Sequence, residues 1–218
     1  SYSLAELSAM VSGFSLVPAD VRQLSDSDLL ASQRTLAEIK RAVDASSAVV
    51  AGEIAARSRR ELGYQGLAQR QGFRTAEKLV QHETGSTARD AGTLVSIGTL
   101  MHDSDPAHNF EAHSFEPDEP WLGAVGAALR SGSLSVEAAK SIRNGLGVPS
   151  DVVTSDLLAG AVLTLLAEAS TLNVDAILLR ARQLRDDIDF AGVAEREQQI
   201  REARSIRRVR RANGLSRY

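Results

Sequence analysis

The sequence predicts an all-α protein, a multi-helix bundle with one long N-terminal helix, two short helix-turn-helix-like corners and a basic C-terminal helix. Three observations carry this prediction. Leu29, Leu36, Val43 and Val50 recur every seventh residue in a stretch with no proline or internal glycine until Gly52, a helical period. Two later segments place apolar residues at helical spacing on both sides of a glycine-containing turn. Further on, a broad apolar stripe of Leu157, Leu158, Ala161, Val162, Leu165 and Leu166 precedes arginines that also keep helical spacing. A chain of 218 residues can bury a core without disulfide or metal staples. Residues 1–218 are therefore read as a single helical domain.

Composition narrows the classes of function. Cysteine is absent, which excludes thiol catalysis, disulfides and thiolate metal sites and fits a reducing, cytoplasmic compartment. No run approaches the roughly 18 apolar residues of a membrane span. The N-terminus SYSLAELSAMVSGFSL lacks the basic region of a secretion signal, so no membrane partner is expected. The chain begins at Ser1 rather than methionine, as a piece of a longer gene product or a trimmed tag would. Its net charge of -3 is strongly segregated. Residues 196–217 hold eight arginines (196, 201, 204, 207, 208, 210, 211, 217) against Glu197 and Glu202, a net +6 that leaves -9 for the remainder. Such asymmetry points to a polyanion-binding end, with a solvated helix face as the plain alternative.

Taken in order, the chain opens with a short helix and a loop around Pro18, to about Leu24. Ser25-Asp26-Ser27-Asp28 then reads as an N-terminal cap of a long helix over residues 25–62, roughly 55 Å at 1.5 Å per residue. A helix of that length is either the spine of the bundle or, over residues 26–62, a dimerisation element. Ser32 and Ser46 interrupt its second heptad seam and favour the spine. Gly63 and Gly66 end it, and a connection carrying Arg70 and Arg74 leads to the first corner, residues 75–101. There Thr75 caps one helix, Gly85 breaks it, and Ser86 or Thr87 caps a second with Ala91, Leu94, Val95, Gly98 and Met101 on one face.

Residues 102–120 are proline- and acid-rich and read as an exposed loop. His102, Asp103, Asp105, His108, Glu111, His113 and Glu116 are its potential metal ligands. None sits in a rigid i, i+4 arrangement, so the reading is a solvated insertion with no metal. The second corner, residues 121–147, pairs Leu122, Val125 and Leu129 with Val136, Ala139, Ile142 and Leu146 across Ser131-Gly132-Ser133. It resembles the first corner in layout but not in residue identity. Core and basic helices then fill residues 150–211. Pro149 and Ser150 start an apolar helix that reads as the central core element. The next begins near Asn173 with Val174, Ile177, Leu178, Ala181, Leu184 and Ile188 inside and Arg180, Arg182 and Arg185 elsewhere. A bend at Phe190 to Val193 leads to a last helix from Ala194 to about Arg211, with Arg201, Arg204, Arg208 and Arg211 on one face and Arg207 and Arg210 at its margin. Asn213-Gly214 reads as a turn, with a strand about to begin at the C-terminus.

No glycine-rich phosphate loop, nucleophile elbow or His-Glu-x-x-His helix occurs. No catalytic residue and no cofactor is therefore assigned.

Several blocks together resemble the N-terminal helical region of the actinobacterial proteins grouped as domain of unknown function 222, the 13E12 repeat family. They are Gly72-Phe73-Arg74-Thr75, Thr84-Gly85 with Ala88-Arg89 and Leu94-Val95, and Trp121-Leu122. They continue with GSLSVEAAKSIRNGLG (132–147), LLAEA (165–169), RARQLRDDID (180–189) and RSIRRVRRANGLSRY (204–218). The resemblance covers about Leu36 to the end. It implies an accessory region of an HNH endonuclease whose ββα nuclease domain lies downstream of residue 218. The histidines here, at 82, 102, 108 and 113, all lie upstream of that point, so the HNH residues are not carried over.

Three functions remain in view. The chain contacts DNA phosphates through Arg201, Arg204, Arg207, Arg208, Arg210 and Arg211, with Lys140 and Arg143 of the second corner facing a groove. The plain alternative is that these arginines pair with acids on neighbouring helices or on the downstream nuclease domain; a second function is a protein-interaction module whose long helix, residues 26–62, makes a homodimer. The third, a metal-dependent enzyme, would require the loop between His102 and His113 to bind metal.

Overall fold

Five of the ten α-helices among the described residues start from a hydroxyl side chain. The computed structural model describes residues 4–104, 119–203, 209–210 and 216–217. Their contacts divide the chain into residues 1–42 and 43–218. The first unit holds α1 (Leu4–Ser12), α2 (Pro18–Val21) and the beginning of α3 (Asp26–Ala56). Pro18 occupies the first turn of α2, where its missing N–H costs nothing. Ser25 starts α3 by accepting from the backbone N of Asp28 at 3.2 Å and donating to its carboxylate at 2.6 Å. No described side chain of this unit is buried.

In the second unit α3 contacts the bundle through a face the heptad pattern does not mark. Ala45, Ala48, Ala51 and Gly52 are buried, whereas Val43 and Val50 are 54% and 53% exposed. Gly52 lies against the backbone of Gly98, and a methyl group on either would overlap main-chain atoms of the other helix. Small residues let two helices approach backbone to backbone, and larger aliphatic residues prevent it. The aliphatic seam is consequently turned away, and the expectation that it packs as a spine is corrected. In the first unit Leu29 is 41% exposed.

The helix is also shorter than residues 25–62. It ends at Ala56 because the chain folds back at Ser58, whose buried hydroxyl donates to Ile54 O at 2.7 Å and accepts from Ala68 N at 3.1 Å. A 3₁₀ turn (Arg60–Gln65) and the single-turn α4 (Leu67–Arg70) follow.

Both corners form as expected. The first is α5 (Ala76–Thr84) and α6 (Ala88–Asp103), capped by Thr75 and Thr87 and separated by Gly85 in a left-handed conformation at φ 62°. A 3₁₀ turn (Pro120–Leu122) precedes the second, α7 (Gly123–Arg130) and α8 (Val136–Leu146). Ser135 caps α8, and Gly132 turns the chain at φ 72°. Leu122, Val125, Leu129, Val136, Ala139, Ile142 and Leu146 are all buried.

The apolar helix after the second corner begins later than expected. Ser150 caps a turn instead, accepting from Val153 N at 3.1 Å, and α9 (Ser155–Glu168) starts from the cap residue Thr154. Its Leu158, Ala161, Val162 and Leu165 are buried but Leu157 is exposed. The central position belongs to α8, which packs against α6, α7, α9 and α10 (Val174–Ala203). Gly145 permits the α8–α10 approach, since a methyl there would meet the Ala181 side chain.

Helix α10 begins where Asn173 accepts from Ala176 N at 2.8 Å. It runs unbroken through Phe190 to Val193, so the expected bend is absent. No proline interrupts that segment, and backbone hydrogen bonding continues through it. Arg180 grips Glu168 at the end of α9 with two bonds of 3.0 and 3.2 Å. That hydrogen bonding holds the Glu168 carboxyl below its ordinary pKa. The described helix extends to Ala203, and Val209–Arg210 is already strand, so the helix does not reach the expected Arg211. Val209–Arg210 pairs antiparallel with Ser216–Arg217, Val209 opposite Arg217 and Arg210 opposite Ser216, and the expected Asn213-Gly214 turn lies outside the described residues. The architecture is an all-α bundle carrying one two-residue ladder at its end.

The α3–α6 crossing is open to test. Gly98→Ala is expected to destabilise the protein by about 1–3 kcal/mol through overpacking. Gly92→Ala on the same helix, where a methyl meets no atom within 4 Å, is expected to stabilise it by about 0.5–1 kcal/mol. Equal melting temperatures for the two variants would show that the crossing tolerates a side chain.

Candidate nucleic-acid interface

A basic side chain recognises phosphate when its charge is not already met inside the fold. This criterion separates the cations of the second corner from the others. Along α8, the N-terminal cap Ser135 and the apolar positions at 136, 139, 142 and 146 direct Lys140 and Arg143 toward α6. Lys140 donates to Thr93 Oγ1 and Arg143 to Ser96 Oγ. Arg143 also pairs with Glu119 at 2.6 Å. Both sequence-predicted groove residues are thus engaged within the bundle, as braces between α8 and α6. Because α8 is covered by its neighbours, its exposed positions reduce to Glu137 and Asn144, an acid and an amide where a recognition helix needs a free, protruding face.

Arginines of α10 divide in the same way. Arg185 donates to the carbonyls of Leu146 at 2.6 Å and Val148 at 2.7 Å and pairs with Asp189 at 3.0 Å. It thereby satisfies acceptors at the C-terminal end of α8, where a cation is electrostatically favoured. Arg180 is held by Glu168. Beyond the packed half of the helix, the described side chains of Phe190, Ala191, Ala194, Gln198 and Arg201 are all exposed. Arg201 lies in the last turn of α10. Arg204, Arg207, Arg208 and Arg211 lie outside the described residues, and Arg210 sits on the first strand of the terminal ladder. Of the expected helical face joining positions 201, 204, 208 and 211, only Arg201 falls among the described residues.

The potential metal ligands of the 102–120 segment also fall largely outside the described residues. His102 and Asp103 are described, and His102 contacts Asp103 at 3.3 Å and Glu53 at 3.8 Å. Among the described residues no three or more metal-ligating side chains converge. A cleft of about 390 Å³ collects Glu77, Asp103, Glu119 and Arg143. Its Glu119 is neutralised by Arg143, which makes it a brace rather than a free acid or base.

Arg59, Arg60, Arg70 and Arg74 were not singled out together as a site by the sequence reading. Among the described residues they have no side-chain hydrogen-bond or ion-pair partner. The signal was available as four arginines within one connection, but only the fold shows them free while Lys140 and Arg143 are engaged.

The chain matches no family model, no curated protein and no solved structure. Among the described residues no helix is long and apolar enough to cross a membrane.

If Arg143 is a brace, Arg143→Ala lowers stability by about 1–2 kcal/mol and leaves DNA affinity unchanged. Unchanged melting with lost DNA binding would return it to the surface as a contact residue.

Proposed function

We propose that this chain is a non-catalytic helical module that contacts DNA through its C-terminal arginines, Arg201, Arg204, Arg207, Arg208, Arg210 and Arg211, and serves as the accessory region of an HNH endonuclease. The observation that carries the reading is the net +6 of residues 196–217, following a helix whose described side chains from Phe190 onward face solvent. A dense run of arginines binds the phosphate backbone without reading sequence. The nuclease association rests on the family resemblance of the sequence blocks, and the cytoplasmic setting on the absence of cysteine.

The test is duplex DNA affinity at rising salt. Six phosphate contacts give a slope of log K against log salt of about -5. Replacing Arg204, Arg208 and Arg211 with alanine reduces its magnitude by about 2.7. No binding at low salt, or a slope untouched by the three substitutions, would falsify the proposal.

A second reading, self-association through α3, is favoured by one specific observation. Heptad residues Val43 and Val50, and Leu29 in the first unit, are exposed while the alanine face is buried, leaving the aliphatic seam available to a second helix. Sedimentation equilibrium is expected to give twice the chain mass, falling to the monomer mass when Val43 and Val50 are both replaced by lysine. A monomer at all concentrations rules this reading out.

A further inference from the structure

The connection between α3 and α5 concentrates positive charge without using it. From Arg57 to Lys78 it holds Arg57, Arg59, Arg60, Arg70, Arg74 and Lys78 against Glu61 and Glu77, a net +4. Arg57 is paired with Glu53 and Lys78 donates to Gln81, whereas Arg59, Arg60, Arg70 and Arg74 hold no partner. Arg59, Arg60 and Arg74 line one cavity of about 370 Å³. Beside them in the chain stands Tyr64, 93% exposed, presented by a 3₁₀ turn in which Gly63 takes a φ of 49° that a side chain would resist.

This connection is tied at its base. Besides the two bonds of Ser58, Leu67 N donates to Arg57 O at 2.7 Å and Phe73 N to Ala68 O at 2.8 Å. Its exposed groups are therefore displayed from a fixed frame, which lowers the ordering cost of binding.

We propose that this patch binds single-stranded DNA, the phosphates running along Arg59, Arg60 and Arg74 and an unpaired base stacking on Tyr64. Arginine clusters draw any nucleic acid. An aromatic ring open to solvent adds selectivity, because only a base outside a duplex has a free face to offer it. The same cavity supplies carboxylate acceptors for base N–H groups from Glu77 and Asp103. The site is separate from the C-terminal arginines and does not depend on them.

The experiment is fluorescence anisotropy of the full chain with a labelled oligothymidine of about 20 nucleotides, longer than common single-strand sites, and with a duplex of equal length. Tyr64→Ala weakens oligothymidine binding about tenfold and leaves duplex affinity unchanged, while Tyr64→Phe stays within about twofold of the parent because it keeps the ring. The triple variant Arg59→Ala, Arg60→Ala, Arg74→Ala lowers the salt slope on the single strand by about 2. All four side chains are exposed, so melting temperatures are expected to be unchanged. The proposal is overturned if oligothymidine does not bind at low salt, if Tyr64→Ala binds it as tightly as the parent, or if that variant loses as much on the duplex. If alanines at Arg201, Arg204, Arg207 and Arg208 abolish binding while the connection variants bind normally, the C-terminal reading stands and this one fails.

Discussion

The approach of α3 to α6 at Gly52 and Gly98 is the constraint on which much of the second unit depends. Two glycine backbones in contact leave no room for aliphatic side chains between the helices at that point, so α3 presents Ala45, Ala48 and Ala51 to the bundle and turns Val43, Val49 and Val50 outward. The same contact carries α6, and with it Ile97, Leu100 and Met101, into the main core beside Trp121 and Leu122. A second glycine contact, Gly145 against Ala181, seats α10 on α8. Close backbone packing at two points substitutes for bulk, and α8 is enclosed between them.

Enclosure of α8 explains the fate of the cations around it. Lys140, Arg143 and Arg185 each reach a hydroxyl, carboxylate or carbonyl of a neighbouring segment, and a half-buried cation with such partners is a structural element. A corner that looks like a DNA-reading motif by spacing alone is thereby a packing unit. Among the described residues Arg59, Arg60, Arg70 and Arg74 are without a side-chain partner, as are Arg22, Arg41, Arg89 and Arg182 elsewhere in the chain. Arginine function here follows from what the fold has already neutralised.

On the proposed reading, contact with nucleic acid is confined to limited surfaces, because the -9 balance outside residues 196–217 disfavours broad coating of DNA. A +4 connection with an exposed tyrosine and a +6 C-terminal stretch are two such surfaces, one suited to an unpaired strand and one to phosphates of any form.

Local signals in the sequence determined the helices. Thr75, Thr87, Ser135 and Thr154 cap the helices that follow them, and Gly85 and Gly132 turn the chain where left-handed backbone is needed. Both corners, their buried residues and the all-α class were legible because caps, turns and apolar period act over a few residues. The end of α3 at Ser58, the continuation of α10 past Phe190 and the choice of alanines over the heptad seam were not. The two features of α3 depend on partners outside the helix, Ala68 for Ser58 and Gly98 for Gly52, whereas α10 continues by its own backbone hydrogen bonding. For the candidate sites the division is the same. Arginine content was visible in the sequence, but whether an arginine is free or already paired is decided only by which acceptors the tertiary structure brings within hydrogen-bonding distance.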